Sequence, residues 1–442
     1  MSQQASKKTI LGFDSWTQGS HHYARLVQAF DAIGYRLILI HIGSWGHDRT
    51  RPSEELINGL LVRDVSYYPD RSFEAILRTE NPAAVIFLST RAFAHQAFNR
   101  YAAQLGIPTF HLYHGLVNVQ AVNADNHQVP YKTNWLKQFS ILRKRIFKNL
   151  CVLWPVYLKS LVDTKATMSD WGWFIREIYF KVSKPLAGFA PPDTTTLGGF
   201  VYTAADLNNI IQSYGIDPRN AHAVGNPDLM HFGLEQADLG CALSITSSTD
   251  TDVMYIDTGL IEAGIVFDGE KDFTDHLLKT RQAMSEQGLN LIVKLHPSHF
   301  RSGLAQKLAE SNIEIIANQD FVKRLRTCLA TLVEPSSAAM LPALLGKPVF
   351  LVQYGKLQSQ AYGLVLTSYP RARFLKNPRQ VLTLVQQEQT TLDLRAVEHW
   401  IAENSGPMPA HDMPKRIARL VEAMIAPTYS ADKTRSVAEL TA

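Results

Sequence analysis

Residues 9–42 read TILGFDSWTQGSHHYARLVQAFDAIGYRLILIHI, and this stretch decides the fold. Thr9 to Phe13 is a short apolar run of the length and content of a buried strand. Asp14 to Ser20 is a polar turn. Apolar residues at helical spacing then run from about His21 to Ile33, and Gly34 stops that helix. Arg36 to Ile42 is a second apolar strand. An apolar strand, a Gly-containing loop, an amphipathic helix and another strand make a βαβ unit, whose strands lie parallel in one sheet.

The same rhythm recurs outward along the chain. Ala83–Leu88 reads as a strand, Ala92–Leu105 as a helix and Pro108–Tyr113 as a strand, with Asn81-Pro82 and Gly106 as punctuation. Phe200–Tyr202, Ala205–Tyr214 and Ala221–Val224 continue it, up to Gly225-Asn226-Pro227. A polar connection, about Glu235 to Asp252, marks a boundary. A second series begins there: strands at Val253–Ile256, Leu289–Leu295, Ile313–Ile316, Cys328–Val333 and Val349–Val352, with helices at Phe273–Gln287, Leu304–Glu310 and Ala338–Leu345. The final third reads as helical. The expected fold is therefore α/β, with two Rossmann-like domains, 1–235 and 236–427, facing a central cleft, and a tail at 428–442.

Composition bounds the function. The chain has 442 residues, 46% hydrophobic and 19% charged, which excludes a disordered or fibrous protein. Forty-four Lys and Arg against 40 Asp and Glu leave a net charge of +4, too little over this length to point to nucleic acid. The cysteines Cys151, Cys241 and Cys328 are odd in number and show no CxxC spacing, so neither a disulfide framework nor a zinc site is expected. That cysteine usage fits a reducing cytoplasm, and without a signal-peptide core or membrane-spanning run a soluble or at most membrane-surface-attached protein is expected.

One segment departs from this pattern. From about Asn126 to Val162, within an unusual stretch reaching residue 190, Lys132, Lys137, Arg143, Lys144, Arg145, Lys148 and Lys159 occur without an Asp or Glu. Aromatic residues such as Trp135, Phe139, Trp154 and Tyr157 are interleaved with them. Such a stretch suits the anionic inner face of a membrane, a helix packed across a domain, or an acidic partner.

In open α/β sheets ligands bind outside the carboxyl ends of the strands. Lys294-Leu295-His296-Pro297 stands at such an end. Pro297 cannot continue a central strand, so His296 projects at the sheet edge, where it can bind phosphate or carboxylate oxygens or relay a proton, or be a buried histidine satisfied by backbone. Glu334-Pro335-Ser336-Ser337 stands at another end, where two hydroxyls and the amides of a helix start can cradle a phosphate, or one serine simply caps the helix.

The two loops together resemble bacterial glycosyltransferases of the GT-B type. The resemblance is greatest to those using CMP-activated acidic sugars, such as the sialyltransferases and Kdo transferases of capsule and lipopolysaccharide assembly. That group is marked by an HP motif and a paired-serine motif. Short similarities extend to His114-Gly115, Gly225-Asn226-Pro227 and Gly346-Lys347-Pro348. The resemblance implies that His296 contacts the donor's phosphate or sugar carboxylate and that Ser336 and Ser337 bind the nucleotide phosphate. The helix after the serines lacks the Glu that holds the ribose in the family, which leaves Glu334 for that role. Lys294, two residues before His296 on one strand face, would offset phosphate charge.

The catalytic carboxylate has to be placed by position. Asp257, after the strand Val253–Ile256, suits a nucleophile or stabiliser, and Asp14, after the first strand, suits the acceptor's general base; either can equally cap a loop. His114 and His21 are candidates for acceptor or phosphate binding. Adjacent in sequence, His21 and His22 should not share a face as a metal site. No metal or cofactor requirement is expected. The partners implied are a nucleotide-sugar donor, CMP-linked, and a glycan or lipid-linked acceptor, with no nucleic acid. A CDP-alcohol phosphotransferase, a UDP-sugar transferase and a non-catalytic nucleotide-sugar-binding subunit are the alternatives.

Overall fold

The run Thr9–Phe13 lies inside a longer strand, β1 (Lys8–Asp14), buried at every residue after Lys8. β1 pairs in parallel with β2 (Tyr35–His41) on one side and β5 (Ala84–Phe87) on the other. A parallel strand covered on both faces has to be apolar throughout rather than alternating, which is how all three read. The structure is a computed structural model describing residues 7–15, 19–45, 51–113, 152–183, 195–243, 251–263, 266–296, 299, 303–334, 339–358 and 362–426.

The chain divides into two compact units, each an α/β domain with a largely parallel sheet. The described part of the first comprises 7–113, 152–225 and 411–426, and that of the second lies within 226–410. In the first unit β3 (Glu54–Ile57), β4 (Leu60–Asp64), β6 (Thr109–Leu112), β7 (Gly198–Val201) and β8 (Ala221–Ala223) complete a sheet of order β3-β4-β2-β1-β5-β6-β7-β8. Only β3 with β4 is antiparallel among these pairs. Their turn is Asn58-Gly59, with φ of 50° and 81°, the left-handed pair a two-residue hairpin requires. The helix expected over 21–33 is two pieces, Ser20–Ala24 and Val27–Ala32.

The described part of the basic aromatic segment turns one face inward and leaves Val162, Met168, Ile175 and Tyr179 exposed. Helix Trp154–Asp163 buries Tyr157 and Leu161 fully, and the Tyr157 ring lies 5.2 Å from Phe93 and 5.5 Å from Phe174. Residues 114–151, which hold most of its basic residues, lie outside the described residues. Among the described residues no helix is long and apolar enough to cross a membrane.

The last helix, Met413–Ile425, belongs to the first unit and not, as its place in the sequence predicts, to the second. Met413, Ile417, Leu420, Val421 and Met424 form one apolar stripe that packs with Ile10, Tyr23, Phe30 and Leu39. Arg416 Nη1 donates to the carbonyl of Val224 at 3.0 Å. The second unit thus ends near Ala410, not at residue 427.

The second unit carries β9 (Asp252–Ile256), β10 (Asn290–Lys294), β11 (Glu314–Ile315), β12 (Ala330–Val333), β13 (Val349–Val352) and β14 (Ala372–Leu375). Its order is β11-β10-β9-β12-β13-β14, and every pairing is parallel. β14 corrects the expectation that the final third is helical. It is an edge strand whose Arg373 and Phe374 are exposed, so its sequence lacks the apolar run that marks the inner strands. The register sets Lys294, Ile256 and Val333 level on three adjacent strands. The next residues on β9 and β12, Asp257 and Glu334, therefore leave the sheet side by side.

Candidate site at the carboxyl edge of the second sheet

Both sheets are doubly wound. Counted from β9, the second sheet runs 3-2-1-4-5-6, and its strand order reverses between β9 and β12. That switch point is where an open α/β sheet leaves a crevice for a ligand. It is also where Asp257-Thr258-Gly259 and Glu334 stand, with His296 one strand away on β10.

Asp257 is buried, and both its oxygens are taken. Oδ1 accepts the N–H of Gly259 at 2.9 Å; Oδ2 accepts the N–H of His296 at 2.9 Å and meets His299 Nδ1 at 2.6 Å. Charge-assisted bonds of this kind are about twice as strong as neutral ones. Asp257 thus grips the loop after β10, the loop-capping role that its position also allowed. His296 is half-buried, so its ring is left at the edge while its backbone is fixed from beneath.

Gly259 sits at φ +82°, and a Cβ there would lie 3.1 Å from His296 Nδ1. Gly259→Ala therefore combines backbone strain with pressure on that ring. We expect it to lower the unfolding free energy by about 1–2 kcal/mol in urea titration and to displace the His296 resonances.

Glu334 is fully buried. Its Oε1 accepts the hydroxyl of Tyr255 at 2.8 Å, and its Oε2 accepts the N–H and hydroxyl of Thr258 at 3.0 and 2.7 Å. It braces the loop after β9 from the β12 side, so its carboxylate is not presented to a ribose as the resemblance implied. Burial first, and the neighbouring Asp257 second, push its pKa up to about 7, against the pull of the Thr258 and Tyr255 bonds. A raised folded-state value means a stability contribution that is full below about pH 4.5 and is lost as pH climbs through about 7. Tyr255 also meets His276 Nε2 at 3.2 Å. Burial lowers His276 to about 4, so it is neutral at neutral pH. Its ring stacks on Tyr354, whose hydroxyl is 2.9 Å from that of Thr280.

Lys294 does not accompany His296 to the edge. It is buried, donates from Nζ to the carbonyl of Leu295 at 2.8 Å and lies 5.5 Å from the Phe321 ring centroid. Burial lowers its pKa, while Asp257 draws it upward. Ser336, Ser337 and His114 lie outside the described residues.

In the first unit, where the order reverses between β1 and β5, Asp14 ends β1. It is buried, accepts the N–H of Ser15 at 2.6 Å and has an oxygen 3.8 Å from His95 Nε2. His21 is exposed on helix Ser20–Ala24. Its ring centroid is 3.9 Å from that of His22, so the two rings do meet: long side chains can bend together across the 100° between consecutive helical positions. Among the described residues no set of three or more His, Cys, Asp and Glu could hold a metal ion.

Sequence reasoning missed His299, Thr258, Tyr255 and His276. His299 was the most accessible of them, because His296-Pro297-Ser298-His299 brings two imidazoles into one turn, and the His299 N–H bonds the His296 carbonyl at 3.0 Å.

No family model matches the sequence, and no curated protein does either. Several solved structures are similar to it. S. aureus MnaA with UDP is 14% identical, with 95% of this chain and 97% of that one covered and a TM-score of 0.46. The glycotransferase of kitacinnamycin is 13% identical over 95% of this chain and 100% of that one, at 0.49. The wall teichoic acid polymerase TagF is 11% identical over 95% of this chain and 89% of that one, also at 0.49. No residue's role is taken from any of them.

Proposed function

We propose that this chain is a glycosyltransferase of the GT-B type that uses a nucleotide-activated sugar, with the donor phosphate at the carboxyl edge of the second sheet. What supports this most is the coincidence of the β9/β12 switch point with a half-buried histidine whose backbone is held by the buried carboxylate of Asp257. His296 donates a hydrogen bond or a proton to the departing phosphate, and Ser336 and Ser337 add hydroxyl donors. Donors fixed before the reaction stabilise the charge that develops on the leaving nucleotide at no cost in reorganisation. Asp257 and Glu334 hold those loops, and Asp14 takes the proton of the acceptor hydroxyl. The donor is a CMP-linked acidic sugar of the Kdo or nonulosonic acid type. The acceptor is a bacterial surface polysaccharide or lipid-linked glycan, met at the inner face of the plasma membrane through residues 126–162.

Thermal-shift titration with CMP, CDP and UDP tests the donor. A nucleotide at a hundred times its Kd stabilises the native state by about 2.7 kcal/mol and raises Tm accordingly. The reading expects the largest rise with CMP; no rise with any of the three at millimolar concentration would defeat it. A rise without turnover of any nucleotide sugar would make the chain a binding subunit.

The base assignment has its own test. A Cβ on Gly19 would lie 2.1 Å from Asp14 Oδ2, so Gly19→Ala must swing the carboxylate aside. Both Gly19→Ala and Asp14→Asn should reduce transfer about a hundredfold, with little change in nucleotide affinity. Full activity in Asp14→Asn removes Asp14 from the mechanism.

A further inference from the structure

We propose that Glu334 is a positioning residue of the phosphate site: it braces the loop after β9, which Asp257 ties to His296, and shares its proton, through Tyr255, with His276. The proposal rests on the donor reading above. The loop Asp257-Thr258-Gly259 is gripped from two sides. On one, Asp257 holds His296 and His299; on the other, Glu334 holds Thr258 by two bonds.

The Tyr255 hydroxyl lies between two partners, Glu334 Oε1 at 2.8 Å and His276 Nε2 at 3.2 Å, and has one proton to give. With Glu334 ionised, Tyr255 donates to it and accepts from His276 Nε2–H. With Glu334 protonated, its O–H donates to Tyr255, Tyr255 donates to His276 Nε2, and the imidazole proton moves to Nδ1. The groups acting on Glu334 fix where this reversal falls. Asp257 and Tyr255 face it from β9 and Tyr354 from beyond β13, while helix Glu270–Ser285 acts through His276, itself influenced by Asp272 and Lys279. Lys294 on β10 acts on Asp257. Burial and the Asp257 charge bring the reversal to about pH 7. An arriving phosphate adds negative charge and favours the protonated, neutral carboxyl, so binding takes up a proton above that pH.

Two measurements decide it. The first uses no ligand: the imidazole ¹⁵N shifts of His276 from pH 5.5 to 8.5. The wild type should change from Nδ1–H to Nε2–H near pH 7. Glu334→Gln, whose amide oxygen is claimed by the two Thr258 donors so that its nitrogen faces and donates to Tyr255, should stay Nδ1–H throughout, and Tyr255→Phe, which interrupts the chain, should show no step. The second is the affinity for CMP over the same range in wild type and Glu334→Gln. In the ratio of the two affinities the nucleotide's own titration cancels. The ratio should be near one at pH 6, with the wild type three- to tenfold weaker at pH 8.5. A tautomer unaffected by pH in the wild type, or the same step in Glu334→Gln, overturns the shared proton. A constant ratio overturns the positioning of the phosphate. If neither protein binds CMP, CDP or UDP, the donor reading fails and the phosphate arm with it, and the tautomer step alone upholds or overturns the chain.

Discussion

If the proposed function holds, sugar transfer should fall at least a hundredfold when His296 becomes alanine, while the circular dichroism and melting temperature should stay those of the wild type. The two halves of this expectation have different origins. The backbone N–H of residue 296 donates to Asp257, and alanine keeps that bond, so the loop after β10 holds its course. The half-buried ring is what alanine removes, along with its contact near Gly259. Losing one fixed donor to a developing anion costs about 10²–10³ in turnover. The assay is single-turnover consumption of a CMP-linked sugar. A folded His296→Ala protein with unimpaired transfer would falsify the assignment of this edge as the phosphate site.

Asp257→Ala should have the largest effect on stability, about 3–5 kcal/mol. The carboxylate is the acceptor for two backbone N–H groups and the Nδ1 side of His299, all within the edge loops. Its removal leaves these buried donors without their acceptor, at about 1–3 kcal/mol each before the loops relax. Asp257→Asn should be nearly as costly, because its amide nitrogen would face a donor whichever way it turns. At roughly 2–4 °C per kcal/mol for a unit of this size, the second unit should melt about 10 °C lower by calorimetry. This measurement also separates the two roles considered for the residue. A nucleophile could be lost with Tm intact and activity gone; a loop anchor cannot.

The fold was legible wherever strands are buried on both faces. TILGF and RLILIH in the first unit, and LIVK and VFLV in the second, are apolar runs with few polar residues, and each stands within a strand of the structure. Elements supported from one side were harder to see. β14 spends two of its four residues in solvent, and β3, which pairs at the edge with no buried residue of its own, was not foreseen, nor was its Asn58-Gly59 turn into β4. The C-terminal helix was recognisable as amphipathic, but nothing in a stripe of Met, Ile, Leu and Val tells which core it joins.

The site was legible in its strand-end positions but not in its wiring. Reading each carboxylate alone gave Asp257 and Glu334 roles toward a ligand. The donors that occupy them come from residues 258, 259, 296 and 299 and from the strand residue Tyr255, and they arrive only through the level register of β10, β9 and β12. Sequence spacing does not carry that register across some forty residues of intervening chain.

The return of helix Met413–Ile425 to the first core has a consequence for synthesis. Ile10, Tyr23 and Phe30 leave the ribosome well before Ile417, Val421 and Met424, their packing partners, which follow the second unit in the chain. Domains generally fold as they emerge, the earlier one first. Here the first-made half must wait, its apolar surface uncovered, until the second-made half has already closed. A nascent chain stalled shortly after residue 410 should therefore hold a finished second unit tethered to an unfinished first one.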